Sequence, residues 1–221
     1  MEFTKPAEIE RESMRIIDGE LLARGIALPE ETKAVVKRVI HTTADFDYAE
    51  NLRFTPDAVK RALAALRGGA TIITDTNMAL AGVSKIALQK LGGTVRCFMA
   101  EPFIAEDARA RGVTRAVASM DYASENMPDA IYAVGNAPTA LLRLAEHIES
   151  GMRPALVIGV PVGFVNVVES KERALAVCEA HGVPAIVALG RKGGSNVAAA
   201  ICNALLYAAA ELAEPERRGG V

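Results

Sequence analysis

The sequence predicts an α/β fold: a mostly parallel sheet of about five strands, covered by helices on both faces. Two observations carry this reading. Five short apolar runs, 70–75, 94–98, 130–134, 155–159 and 185–189, lack the polar alternation of a half-exposed strand, so each reads as a strand buried on both sides. Helical patterns separate these runs, and strand-helix alternation is the chain order of a parallel sheet. With 221 residues, 51% hydrophobic and 24% charged, the chain can bury a substantial core in one domain, 1–212.

Taken in order, residues 8–24 form an amphipathic helix with Ile9, Ile16, Ile17 and Leu21 on one stripe. Ser13 lies in that stripe, where its hydroxyl either bonds the carbonyl four residues back or is presented to a ligand. Pro29 suits the first position of the next helix, whose Thr32, Val35, Val36, Val39 and Ile40 recur at three- and four-residue steps. Arg38 and His41 share a face beside this stripe. His41 is expected near the helix end, before the turn formers Thr42, Thr43 and Asp45, with an imidazole that titrates near neutrality. A histidine there ordinarily caps the last carbonyls; a proton donor or acceptor is the sharper alternative. Asp45 and Asp47 read as turn formers that could also orient the ring.

Thr55, followed by Pro56, is expected to N-cap a helix through Val59, Leu63 and Leu66 that stops at Gly68 and Gly69. Further helices are predicted over about 83–90, 104–111, 138–149, 170–180 and 195–212, with a short extra strand near 116–118. The last helix is alanine-rich, suiting either close core packing or a subunit interface. The tail, 213–221, is charged and glycine-containing and is expected to fray.

Composition excludes several classes. A net charge of −2 gives no general attraction to nucleic acid or an anionic membrane. Cys97, Cys178 and Cys202 are too scattered for a disulfide framework or a zinc ribbon, which fits reduced thiols in the cytoplasm. Neither a signal peptide nor a membrane-length apolar run is expected. Metalloprotease, serine-hydrolase, dinucleotide and phosphate-loop patterns are absent, so no metal site and no nucleotide cofactor is expected. His147 and His181 read as residues at helix C-termini.

Ligands of open parallel sheets gather beyond the strands' carboxyl ends. Three polar turns should lie there: GNAPT (135–139), PVGFV leading to ESK (161–171), and GRKGGSN (190–196). Their glycines allow close approach, and N–H groups at the following helix starts can bind carboxylate or phosphate. GRKGGSN adds Arg191, Lys192 and Ser195, which is expected to N-cap the next helix.

Five blocks, KRVIHTTADFD (37–47), TDTNMALAG (74–82), GNAPTALLRL (135–144), GVPVGFVNVVESK (159–171) and LGRKGGSNVAAAI (189–201), together resemble the precorrin-8X methylmutase family of cobalamin biosynthesis. The resemblance spans about residues 8–210, and its wording is closer to the cobalt-precorrin-8 branch. It implies a three-layer α/β/α sandwich, a homodimer with its site near the subunit interface, and a sigmatropic methyl shift at ring C of a corrinoid tetrapyrrole. Through it His41 matches the catalytic histidine, and Ser13 and Arg38 match substrate-contacting residues. The substrate carries many carboxylates. Thr42, Asn136, Arg191, Lys192, Gly193, Gly194 and Ser195 complete the expected binding set, with N–H groups of GNAPT and GGSN as further donors. Any cobalt would belong to the substrate, and no cofactor is expected. The alternatives are a non-catalytic corrinoid carrier and an enzyme acting on a phosphorylated metabolite at GRKGGSN.

Overall fold

A computed structural model describes residues 5–215. Its elements run α1 (Pro6–Ala23), α2 (Glu30–Thr43), α3 (Tyr48–Asn51), β1 (Leu52–Phe54), α4 (Ala58–Arg67), β2 (Thr71–Thr74), α5 (Asn77–Gly82), α6 (Lys85–Leu91) and β3 (Thr94–Arg96). They continue with α7 (Pro102–Arg111), α8 (Arg115–Asn126), β4 (Ile131–Val134), α9 (Pro138–Glu149), β5 (Leu156–Gly159), α10 (Val167–Ala180), β6 (Ala185–Ala188) and α11 (Ser195–Ala209). The sheet has the order β1-β6-β5-β4-β2-β3 and is parallel except for β1.

Successive strand residues serve opposite helix layers, which is why the strands read as unbroken apolar runs. Ile72, Ile131, Ala133, Leu156, Ile158 and Ile186 pack with α1, α2, α4, α5, α6 and α11. Ile73, Tyr132, Val134, Val157, Ala185 and Val187 pack with α7, α8, α9 and α10. The result is the expected α/β/α sandwich.

Several local expectations are corrected. The sheet has six strands rather than about five, because residues 52–54 pair antiparallel with β6, Leu52 opposite Ala188 and Phe54 opposite Ile186. Three residues are too few to show a period. Residues 116–118 are helical, since the Thr114 hydroxyl accepts from the N–H of Val117 and starts α8 there. Thr55 caps no helix: its hydroxyl accepts from the N–H of Ala185 at 2.8 Å, while α4 begins behind Asp57 in the left-handed region. The helix predicted over about 83–90 is α6, capped by Ser84, and ahead of it stands one that was not predicted, α5, capped by Thr76. On α1, Ile17 and Leu21 are buried, but Ile9 and Ile16 are about half exposed, at 51% and 48%. Of the tail expected to fray, residues 213–215 border a cleft beside α1 and α2, and 216–221 lie outside the described residues.

A polar node ties three helices of the second layer. Asp121 on α8 accepts from Arg111 on α7 and Arg143 on α9, both at 2.5 Å, and pairs with His147 Nε2 at 2.7 Å. His147 thus does more than cap its helix. Burial pushes the Asp121 carboxyl up, but the bonds from Arg143, Arg111 and His147 together outweigh it and hold the carboxyl below its ordinary range. A depressed carboxyl contributes stability above its unfolded pKa and loses it as pH falls through the folded one. Asp121→Asn should therefore lower unfolding stability by about 1.5–3 kcal/mol at pH 7. The gap should close below about pH 4 in urea titrations across pH.

Candidate functional site

The site begins where α1 crosses α2. Val35, Val36, Val39 and Ile40 bury one face of α2, which leaves Arg38 and His41 on the flank that meets α1. Ser13 Oγ lies 2.8 Å from His41 Nδ1, so the serine hydroxyl spans to the imidazole instead of bonding its own helix. Arg38 donates to Glu10 at 2.6 Å, and its guanidinium stands 5.5 Å over the Tyr207 ring of α11. His41 is partly exposed, as a proton-transfer group must be.

The helix ends cleanly just beyond. Ala44 takes the left-handed conformation and donates to Ile40 O, while the hydroxyls of Thr42 and Thr43 bond the carbonyls of Arg38 and Val39. The following Asp45 and Asp47 do not meet His41 in any bond seen here. Instead, Lys192 Nζ donates to both at 2.6 Å, clasping the end of α2 to the β6–α11 loop across 147 residues of sequence. The Lys192 bond holds the Asp45 carboxyl below its ordinary range, and the two carboxylates push the lysine up. Beside this clasp lies an open cavity of about 400 Å³, lined by Thr42, Thr43, Asp45, Tyr48, Val162, Lys192, Gly193 and Asn196. Tyr48 and Asn196 are lining residues that the sequence reading missed. Burial, then the Asp45 charge, push the Tyr48 phenol up to about 12, so it faces the cavity as a neutral hydroxyl.

Strand order reverses direction between β2 and β4, where ligands of such sheets usually enter. Here that crevice is filled from within. Asp75, 1% exposed, accepts from the N–H groups of Gly135, Asn136 and Ala137 at 2.7–2.9 Å. The GNAPT amides expected to meet a substrate carboxylate are thus spent on an internal one. Burial raises the Asp75 carboxyl although the three N–H bonds oppose it. Ser195 is also corrected: Gly194 is the N-cap of α11, and the Ser195 hydroxyl, 9% exposed, bonds Thr76 at 2.7 Å. Gly135 is held so tightly that a Cβ would stand 2.8 Å from Gly194 O and Ser195 Cα, so the turns after β2, β4 and β6 abut.

The expected residues consequently fall into three groups. Ser13, Arg38 and His41 form the α1–α2 cluster; Thr42, Lys192 and Gly193 line the cavity next to it. Asn136, Gly194 and Ser195 belong to the packed turns, with the Asn136 side chain exposed. Arg191 is exposed, 5.6 Å over the Phe164 ring at the loop rim.

The precorrin-8X methylmutase family model matches residues 8–208. The chain belongs to that family. The cobalt-precorrin-8 methylmutase of Salmonella typhimurium is 50% identical over 176 residues, covering 79% of this chain and 80% of its own length. That of Priestia megaterium is 39% identical over 91% of this chain and 87% of its own. The precorrin-8X methylmutase of Pseudomonas aeruginosa is 37% identical over 89% and 93%. The crystal structure of precorrin-8X methylmutase from Thermus thermophilus superposes with a TM-score of 0.82 at 44% identity, covering 92% of this chain and 98% of its own.

Within this family frame, the Ser13 bond makes a direct prediction about the imidazole. Ser13→Ala should shift the His41 Nδ1 resonance in 15N NMR, because that nitrogen loses its 2.8 Å partner. An unmoved resonance would mean that the hydroxyl does not set the ring's tautomer.

Proposed function

We propose that this protein is the isomerase that moves a methyl group at ring C of a corrinoid, converting cobalt-precorrin-8 to cobyrinate in cobalamin biosynthesis. The observation that carries the reading is His41, partly exposed in the last turn of α2 and held at Nδ1 by Ser13, within a chain that matches the family from residue 8 to 208. The cobalt form is preferred over metal-free precorrin-8X. Its support is the 50% identity to the Salmonella cobalt-precorrin-8 methylmutase, against 44% and 37% to the Thermus and Pseudomonas precorrin-8X methylmutases.

Ser13 holds the imidazole through Nδ1, and His41 is the group that protonates or hydrogen-bonds the corrinoid at ring C and favours the reactive tautomer. Substrate and product contain the same atoms, so the step has no net electron or group donor to supply. The protein contributes a fixed orientation and a proton at one place. Any cobalt travels with the substrate. Arg38 and Lys192 are already paired with Glu10 and with Asp45 and Asp47, so a polycarboxylate binds by exchanging these partners. Arg191 and the loop amides add donors. A second copy of the chain, seated on exposed apolar residues such as Phe164 and Val165 at the loop rim, would complete a homodimer.

The deciding experiment is incubation with cobalt-precorrin-8 and, separately, precorrin-8X, followed by visible spectroscopy and product NMR. A shifted methyl at unchanged mass is expected, faster with the cobalt substrate; binding without conversion would favour a corrinoid carrier. His41→Ala should lower kcat at least about 100-fold while corrinoid affinity stays within about threefold, measured by spectral titration. Arg38→Ala should weaken binding about tenfold through loss of a charge-assisted bond, and unchanged affinity would remove it from the site.

A further inference from the structure

Lys171 lies on the buried stripe of α10 with Val167, Ala174 and Cys178, and is 0% exposed. Its ammonium donates to two backbone carbonyls, Gly190 O at 2.8 Å and Lys192 O at 2.7 Å. Among the described residues no carboxylate pairs with it. Burial alone pulls it down to about 8, which still leaves a cation at neutral pH. Such a group costs stability, since carbonyl dipoles replace water only in part. A methionine of the same length would fill the space without that cost, so packing does not account for a lysine.

What the ammonium does is set the orientation of the loop after β6. In a planar trans peptide the C=O of one residue and the N–H of the next point in opposite directions. With the carbonyls of Gly190 and Lys192 drawn inward to Nζ, the N–H groups of Arg191 and Gly193 are turned away from it. The loop is pinned on either side as well: Gly163 N–H donates to Arg191 O at 3.2 Å, and Gly194 N–H donates to Val160 O at 2.9 Å. Gly193 presses so closely on the Val160 carbonyl that any Cβ would overlap it. No described residue accepts from the N–H of Arg191 or Gly193, and Gly193 lines the open cavity beside Thr42. Two unspent amides two residues apart, turned outward by a buried cation, with Gly193 at the cavity wall and Arg191 on the exposed loop next to it, are a carboxylate seat.

We propose that Lys171 is a positioning residue for substrate binding: by holding the carbonyls of Gly190 and Lys192 it presents the N–H groups of Arg191 and Gly193 to one carboxylate of the substrate. This assignment rests on the corrinoid reading above and adds to it a seat built from backbone.

The test compares wild type with Lys171→Met in steady-state conversion of cobalt-precorrin-8. The expected result is a KM raised about tenfold with kcat changed less than about threefold, the pattern of lost uniform binding. An unchanged KM, or a fall in kcat alone, overturns the assignment. Should the variant fail to fold, 15N NMR of the wild type decides. The amide protons of Arg191 and Gly193 should move downfield on saturation with metal-free hydrogenobyrinate, whereas that of Leu189, already bonded to Asn51 O, stays in place. Unmoved Arg191 and Gly193 signals overturn the seat. Wild type that neither binds nor converts either corrinoid would instead defeat the functional reading itself, so the two failures are separable.

Discussion

Strands β4, β5 and β6 bury every residue they contain, and β2 all but its first. Helices press apolar side chains onto both faces, so a polar group on a strand needs an internal partner, as the hydroxyls of Thr74 and Tyr132 find in the carbonyls of Thr76 and Met127. Chemistry is therefore displaced to the places where strands end. The turns after β2, β4, β5 and β6 carry the polar and glycine-rich segments of the chain, and α2 brings its C-terminal turn to the same edge through its packing on α11 and its clasp to Lys192.

That edge is organised by internal charges more than by open ones. Asp75 consumes the amides of the β4–α9 turn, Lys171 consumes carbonyls of the β6–α11 loop, and Lys192 bridges Asp45 and Asp47. On the reading proposed above, a chain of net charge −2 that receives a polycarboxylate cannot rely on a positive field. It can rely on ion pairs that exchange partners and on N–H groups aimed by buried charges, both of which act only at contact distance. Such an arrangement favours a ligand whose carboxylates match the fixed spacing and gives little attraction to other anions.

The layered α/β fold and the boundaries of α9 were legible because apolar periodicity, Pro138 and the flanking turn residues act locally. The missed elements share a cause. β1 is three residues long and exists only because β6 offers an edge, and Thr55 is spent on β6 rather than on a helix start. Residues 116–118 look strand-like by composition, but the Thr114 cap wins. Ser195 resembles an N-cap, yet Gly194 takes that place because Gly135 crowds the turn and Thr76 claims the hydroxyl. Lys171 left a readable trace: a lysine in the apolar stripe of α10 signals a buried cation before any contact is known.

By itself, then, the sequence determined the alternation of strands and helices, the glycine-rich turns beyond the strand ends, and the helix end that carries Arg38 and His41. These follow from side-chain period and backbone propensity within a few residues. Tertiary structure alone decided which polar groups meet: Ser13 with His41 across 28 residues, Lys192 with Asp45 across 147, and Asp75 with the amides of Gly135 to Ala137. Such pairings depend on how two apolar helix layers settle on one sheet. Periodicity says which face of an element is buried, and only the packed core says what that face is held against.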